Sequence, residues 1–274
     1  MMKRRLIHII LAISVLVVCS MDASGQSKYL QRAEKKLEKG DTVKAIKKLN
    51  KYIEKHPKDA DIYLLRAKLK IDQGDYDPAM VDLNSYCSLI PTCTEASYWK
   101  GIVRYKQSDY KGAIEHLSAY TSNYKHAEAW IYLGLSHMWL QHYELAMNSF
   151  QRSLELDPTQ VMAYYNAGIS AFRIGRADQA VSNLSRAHEL APNDTDITLA
   201  LANALTLQES FQKSIDVLQG ISTNDAAYPK ALYNIAVNYY RMDKESDACE
   251  WWEKAEAAGH LNAEDSIKRY CEEK

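Results

Sequence analysis

A register of 34 residues runs through this chain and leaves little choice of fold. A small residue recurs at Ala45, Ala79, Ala113, Ala146, Ala180, Ser214 and Ala248. Upstream of each stands a second small residue, at Ala33, Ala67, Gly101, Gly134, Gly168, Ala202 and Ala236. Downstream stands a large apolar one, at Leu49, Leu83, Leu117, Phe150, Leu184, Leu218 and Trp252. The steps are 34, 34, 33, 34, 34 and 34 residues, and three columns do not stay aligned over seven units by chance. Two antiparallel helices approach closely only where a side chain is no bigger than a methyl or hydroxyl group. The paired small residues therefore mark the contact between the two helices, A and B, of one hairpin. The bulky residue is expected to fill the space between that hairpin and the next.

Turn signals fall between the two helices, at Gly40-Asp41, Gly74-Asp75, Ser108-Asp109 and Gly175-Arg176. Pro57, Pro91, Pro158 and Pro192 close several units, because proline lacks the N–H that a helix interior needs. Only 10 glycines and 6 prolines occur in 274 residues, which favours long helices joined by short turns.

This pattern resembles the tetratricopeptide repeat, a helix–turn–helix unit of 34 residues. The fourth unit carries it most fully, with Trp130, Leu133-Gly134, Ala146, Phe150 and Pro158. The fifth follows with Tyr164, Gly168, Ala180, Leu184 and Pro192, whereas the sixth has Ser214 in the alanine column and no closing proline. The seventh ends Trp251-Trp252-Glu253-Lys254-Ala255 with Gly259 behind it, which is similar to the related Sel1 repeats. The resemblance implies an all-α, right-handed superhelical solenoid of about seven helix–turn–helix hairpins over 26–260. The units are expected near 26–59, 60–93, 94–126, 127–160, 161–194, 195–228 and 229–260. Residues 261–274 are expected to form a C-terminal capping helix, with Asn262 as its N-cap and a polar face from Glu264, Asp265, Lys268 and Arg269.

The first 25 residues read as a secretory signal peptide. Lys3, Arg4 and Arg5 precede an apolar run from Leu6 to Cys19, and Ala23 and Gly25 supply small residues for cleavage before Gln26. The run is shorter than the roughly 20 residues of a membrane span. An uncleaved anchor is one alternative. Acylation at Cys19 is another, disfavoured because Val17 and Val18 stand where a small residue is wanted. Cleavage leaves 31 basic side chains against 34 acidic ones, so nucleic acid is not an expected partner. The chain is expected in the periplasm or at the outer membrane of a bacterium.

Export leaves four cysteines. Cys87 and Cys93 flank Pro91, while Cys249 and Cys271 each lie 11 residues from His260. Antiparallel helices running from a turn there would bring the latter two level, so Cys249–Cys271 and Cys87–Cys93 are the candidate disulfides in an oxidising compartment. Four free thiols are the alternative.

No catalytic or cofactor motif is present: HExxH, GxSxG and phosphate-cradling glycine loops are all missing. His137, His142 and Glu144 straddle a helix end and its turn, and His116 and His126 flank a loop, so neither set reads as a metal site. The expected function is a non-catalytic scaffold. The resemblance implies that the first helix of each unit lines a concave groove for a peptide or protein segment. Candidate lining residues are Tyr98 and Tyr105 in unit three, and Leu135, Met138 and Trp139 in unit four. Tyr165, Asn166, Phe172 and Arg173 follow in unit five, then Tyr233, Tyr240 and Arg241 in unit seven. A rival reading makes the same aromatics stack on glycan rings. Between Lys28 and Pro57 ten basic residues face four acidic ones, a patch suited to an anionic membrane or an acidic partner. Self-association through the repeat ends or the aromatic groove is a further expectation.

Overall fold

A computed structural model describes residues 40–272, which divide into two compact units at Ser122/Asn123. The expected signal peptide, Cys19, Ala33 and the first helix of the first hairpin lie outside the described residues. All regular structure among those described is helical.

The first unit contains α1 (Thr42–Ile53), α2 (Ala60–Gln73), α3 (Tyr76–Leu89), α4 (Thr94–Lys106) and α5 (Tyr110–Thr121). Helices α2/α3 and α4/α5 pair as hairpins, and α1 packs on α2. The second unit contains α6 (Ala127–Trp139), α7 (Tyr143–Leu156), α8 (Val161–Arg173), α9 (Ala177–Leu190), α10 (Thr195–Leu207), α11 (Phe211–Leu218), α12 (Tyr228–Arg241), α13 (Glu245–Ala257) and α14 (Ala263–Ile267). Consecutive helices pair, and within this unit α8 also touches α6 and α10. Helices α1, α3, α7 and α9 stop two to four residues before Pro57, Pro91, Pro158 and Pro192, as a residue before proline resists helical dihedrals.

The small and large columns form the core. A Cβ on Gly101 would lie 2.5 Å from Leu117 Cγ, and one on Gly168 would lie 2.5 Å from Leu184 Cγ. The bulky residue thus packs first across its own hairpin, onto the small residue of helix A, which corrects the expectation that it belongs to the space between hairpins. It also reaches the next unit: Phe150 shares a cluster with Ala163 and Ala167, and Leu184 with Leu201 and Leu205. One side chain does both jobs because the glycine opposite it leaves room to sink.

Each turn between helices A and B holds one left-handed residue: Gly40, Gly74, Ser108, Gln141, Gly175, Glu209 and Asp243. These seven keep the same 34-residue register as the packing columns, yet four of them carry a Cβ.

The C-terminal segment departs from the single helix expected over Asn262–Cys271. Helix α14 is five residues long and continues as a π-helical turn over Lys268–Glu272, and the Asn262 side chain makes no capping bond. The wider turn carries Tyr270 onto Trp252, with ring centroids 5.5 Å apart, while Cys271 meets Cys249. Both candidate disulfides are formed, Cys249–Cys271 with Cα atoms 6.0 Å apart and Cys87–Cys93 with 5.0 Å.

Ser214, the odd member of the alanine column, belongs to a buried polar junction. Fully buried Asn238 donates through Nδ2 to Ser214 Oγ (2.9 Å) and to Asn234 O (3.0 Å). Its Oδ1 accepts from Thr206 Oγ1 at 2.7 Å, and Ser214 Oγ donates to Ala202 O at 2.9 Å. Every polar atom of the amide is occupied, as burial requires.

Candidate functional site

The residues expected to line a groove separate into three groups. In the first unit Tyr98 is core: it is 5% exposed, and its ring lies 5.0 Å from Trp99 and 5.3 Å from Tyr120. Tyr105 is half-buried, edge-on to Tyr110 at 5.8 Å.

In the second unit Leu135 and Met138 pack against the Ile131–Phe150–Ala163 cluster, and Tyr165 and Phe172 against Leu184 and Leu201. Burial, together with the carboxylates of Asp196 and Asp194, holds the Tyr165 phenol above its ordinary pKa. Asn166 donates its amide to Met162 O in its own helix (2.8 Å). Tyr233 stacks on His260 at 4.2 Å and shares a hydrogen bond with Ser266 (3.1 Å). Tyr240 lies at the border of the surface, 5.7 Å from Trp252 and 4.7 Å from Tyr270.

Trp139, Arg173 and Arg241 remain exposed. Each is the last residue of the first helix of its hairpin, closing α6, α8 and α12. Leu207 closes α10 in the same register and is 41% exposed, while Trp139 is 62% exposed. Sequence reasoning missed Leu207, although the 34-residue step from Arg173 leads directly to it. A ladder results at the ends of four equivalent helices: Trp139, Arg173, Leu207, Arg241. Among the described residues neither arginine forms an ion pair. Such a row can bury an indole and an isobutyl group while pairing two charges, and tryptophan and arginine are the residue types enriched at binding hot spots.

Among the described residues no group of three His, Cys, Asp or Glu side chains is placed to hold a metal ion, and no helix is long and apolar enough to cross a membrane. The His137 and His142 rings meet across their turn at 6.0 Å; burial and then His142 keep the His137 imidazole below its ordinary pKa.

Stacked hairpins with a constant register and an exposed ladder on their first helices define a helical-repeat interaction protein. Models of the tetratricopeptide repeat match residues 36–85, 127–160 and 165–237, more than half of the sequence, and the chain belongs to the tetratricopeptide-repeat family. Solved structures show the same fold. The C-terminal part of a repeat-containing protein from Cytophaga hutchinsonii is 20% identical with a TM-score of 0.69, over 87% of this chain and 99% of that one. A tetratricopeptide repeat protein from Parabacteroides merdae is 18% identical with a TM-score of 0.61, over 90% and 98%. YrrB, a tetratricopeptide-repeat protein with an unusual peptide-binding site, is 21% identical with a TM-score of 0.52, over 80% and 97%. No curated protein matches the chain.

Proposed function

We propose that this protein is an exported, non-catalytic scaffold that holds a protein or peptide segment along the first-helix face of its second unit. The ladder of Trp139, Arg173, Leu207 and Arg241 carries this reading. An indole that is 62% exposed and a leucine that is 41% exposed gain from burial against a partner. The two arginines between and beyond them suit carboxylates on the same segment. Family membership supports a scaffold role, and the peptide-binding site that gives YrrB its description makes an extended ligand a reasonable guest for the fold. Two disulfides and the signal-like first 25 residues support an oxidising compartment, and we place the protein in the periplasm or at the outer membrane.

Site-specific photo-crosslinking tests the reading. A photoreactive residue at Trp139 or Leu207 should capture the same partner in the source cell's envelope, and Arg173→Glu with Arg241→Glu should abolish that capture while leaving helicity and melting unchanged. Equal capture from a probe at exposed Glu155, or no effect of charge reversal, overturns it. Crosslinks to saccharide in place of protein would instead make Trp139 a sugar-stacking platform.

A further inference from the structure

The second and third hairpins hold the same polar site with one member exchanged. In the second, Asp82 of α3 is 1% exposed and bound by two cations of α2. Arg66 Nε and Nη2 donate to its two oxygens at 2.8 and 2.6 Å, and Lys70 Nζ lies 2.8 Å from Oδ2. Arg66 Nη1 donates also to Asn50 of α1, at 2.7 Å.

Moving each position 34 residues along gives Asn84 for Asn50, Lys100 for Arg66 and Arg104 for Lys70, but His116 for Asp82. The packing register is preserved, since Gly101 sits against Leu117 where Ala67 and Leu83 stand one hairpin earlier. The cations, the neighbouring amide and the helix pairing therefore recur, and only the carboxylate is gone. In the fourth hairpin Leu133 and Ser149 stand at the positions of Lys100 and His116, so among the hairpins whose two helices are both described only the third keeps its cations with no acid at the position of Asp82.

The consequences appear in the side chains. Among the described residues the Lys100 and His116 side chains make no hydrogen bond or ion pair, and the Arg104 guanidinium pairs with Asp109, at 3.4 Å, with both groups about two-fifths exposed. Burial holds Lys100 below its ordinary pKa. Burial, with Lys100 and Arg104 adding repulsion against the opposing pull of Glu115 and Asp109, does the same to His116. Three basic groups are gathered where the fold, one hairpin earlier, places an anion.

We infer that Asn84, Lys100, Arg104 and His116 form an anion-binding site on the first unit, accepting a carboxylate or phosphate group from outside the chain where Asp82 stands in the preceding hairpin. Lys100 and Arg104 supply the charge and the His116 imidazole N–H a directed donor, while the Asn84 amide oxygen stands to accept from Lys100 as that of Asn50 does from Arg66. Binding draws a proton onto His116, so affinity rises as pH falls.

The experiment follows the His116 imidazole by NMR in the intact exported chain with both disulfides formed. It is titrated with inorganic phosphate, with acetate, and with chloride at matched ionic strength. Saturable binding of phosphate or acetate should raise the His116 pKa by about one unit, a tenfold change in proton affinity. Lys100→Ala should weaken it about tenfold, the loss of one charge-assisted contact. Phosphate acting alone assigns the site to a free phosphate, and acetate acting as well assigns it to a carboxylate side chain. A shift equal to that in chloride, or none, overturns the inference. His116→Asp gives an independent check, because it restores the carboxylate of the preceding hairpin. It should raise the melting temperature and remove the phosphate response, whereas a lower melting temperature would show that the two sites are not equivalent.

Discussion

The ring of Phe150 occupies the space where a Cβ on Gly134 would stand, with Cε1 2.7 Å from that position. No rigid ring tolerates so close a carbon. Alanine at 134 would gain about 1 kcal/mol in helix propensity, but forcing its methyl into packed contact costs about 1–3 kcal/mol. Gly134→Ala should therefore destabilise by up to about 2 kcal/mol, read as a lower urea midpoint at unchanged slope. A stabilised variant would mean that α6 and α7 can slide apart freely.

Gln141 and Glu209 adopt positive φ of 59° and 62° at turns where Gly175 meets the same demand without a Cβ. The left-handed conformation costs an ordinary residue about 1–2 kcal/mol, part of which glycine returns as unfolded-state entropy. Gln141→Gly and Glu209→Gly should each raise stability by about 0.5–1 kcal/mol, additively because the turns lie in different hairpins. Paired thermal melts of the single and double variants check this.

Asp82 is buried between Arg66 and Lys70, so removing it strands two cations. Asp82→Ala should cost about 3 kcal/mol, at the low end for a broken buried ion pair because both cations can swing towards water. Asp82→Asn should cost less, since an amide oxygen still accepts from Arg66. Chemical denaturation of the two variants orders them.

The two disulfides should differ in worth. Closing 22 residues constrains the unfolded chain by about 3 kcal/mol, and closing six by about 2 kcal/mol. Cys249→Ser with Cys271→Ser should thus lower the melting temperature more than Cys87→Ser with Cys93→Ser. It should also release Tyr270 from Trp252, seen as a change in near-ultraviolet circular dichroism.

Stability should fall in mild acid. His116, His126, His137 and His260 all have pKa values held below the ordinary 6.5, burial being the largest cause in each. Below about pH 6.5 the unfolded chain takes up protons that the folded chain refuses, so the loss begins there and grows until the folded imidazoles titrate. Melting at pH 7.5 and 5.5 measures it, and His137→Gln should reduce the difference. Equal melting at both values would place these rings in water.

The hairpins could be read from the sequence because a close helix contact demands small residues at fixed steps, and the helices end where prolines forbid continuation. The Cys249–Cys271 pair followed from counting residues to a turn, whereas Cys87 and Cys93 were marked only by flanking Pro91. What could not be read is where a half-turn of rotation decides the outcome. Tyr98 and Trp139 both sit on first helices, but one points into the unit's interior and the other out of it, and the offset between neighbouring hairpins leaves no mark in the register. The turn residues Gln141 and Glu209 were invisible because their backbone shape is imposed by the helices they join. Asp82 looked like any helix-surface carboxylate until its partners, 12 and 16 residues away, closed over it.

Repeat arrays grow and shrink by copying units, and copying is harmless only where neighbours are interchangeable. The bond from Asn238 to Ser214 makes the sixth and seventh hairpins an exception. A duplicate of the fourth or fifth unit inserted between them would set an alanine opposite Asn238 and strand its amide in the interior, while a copy carrying Ser214 alone would lack its donor. The sixth and seventh units are therefore a matched pair, and separating them would cost about 1–3 kcal/mol for the unsatisfied amide.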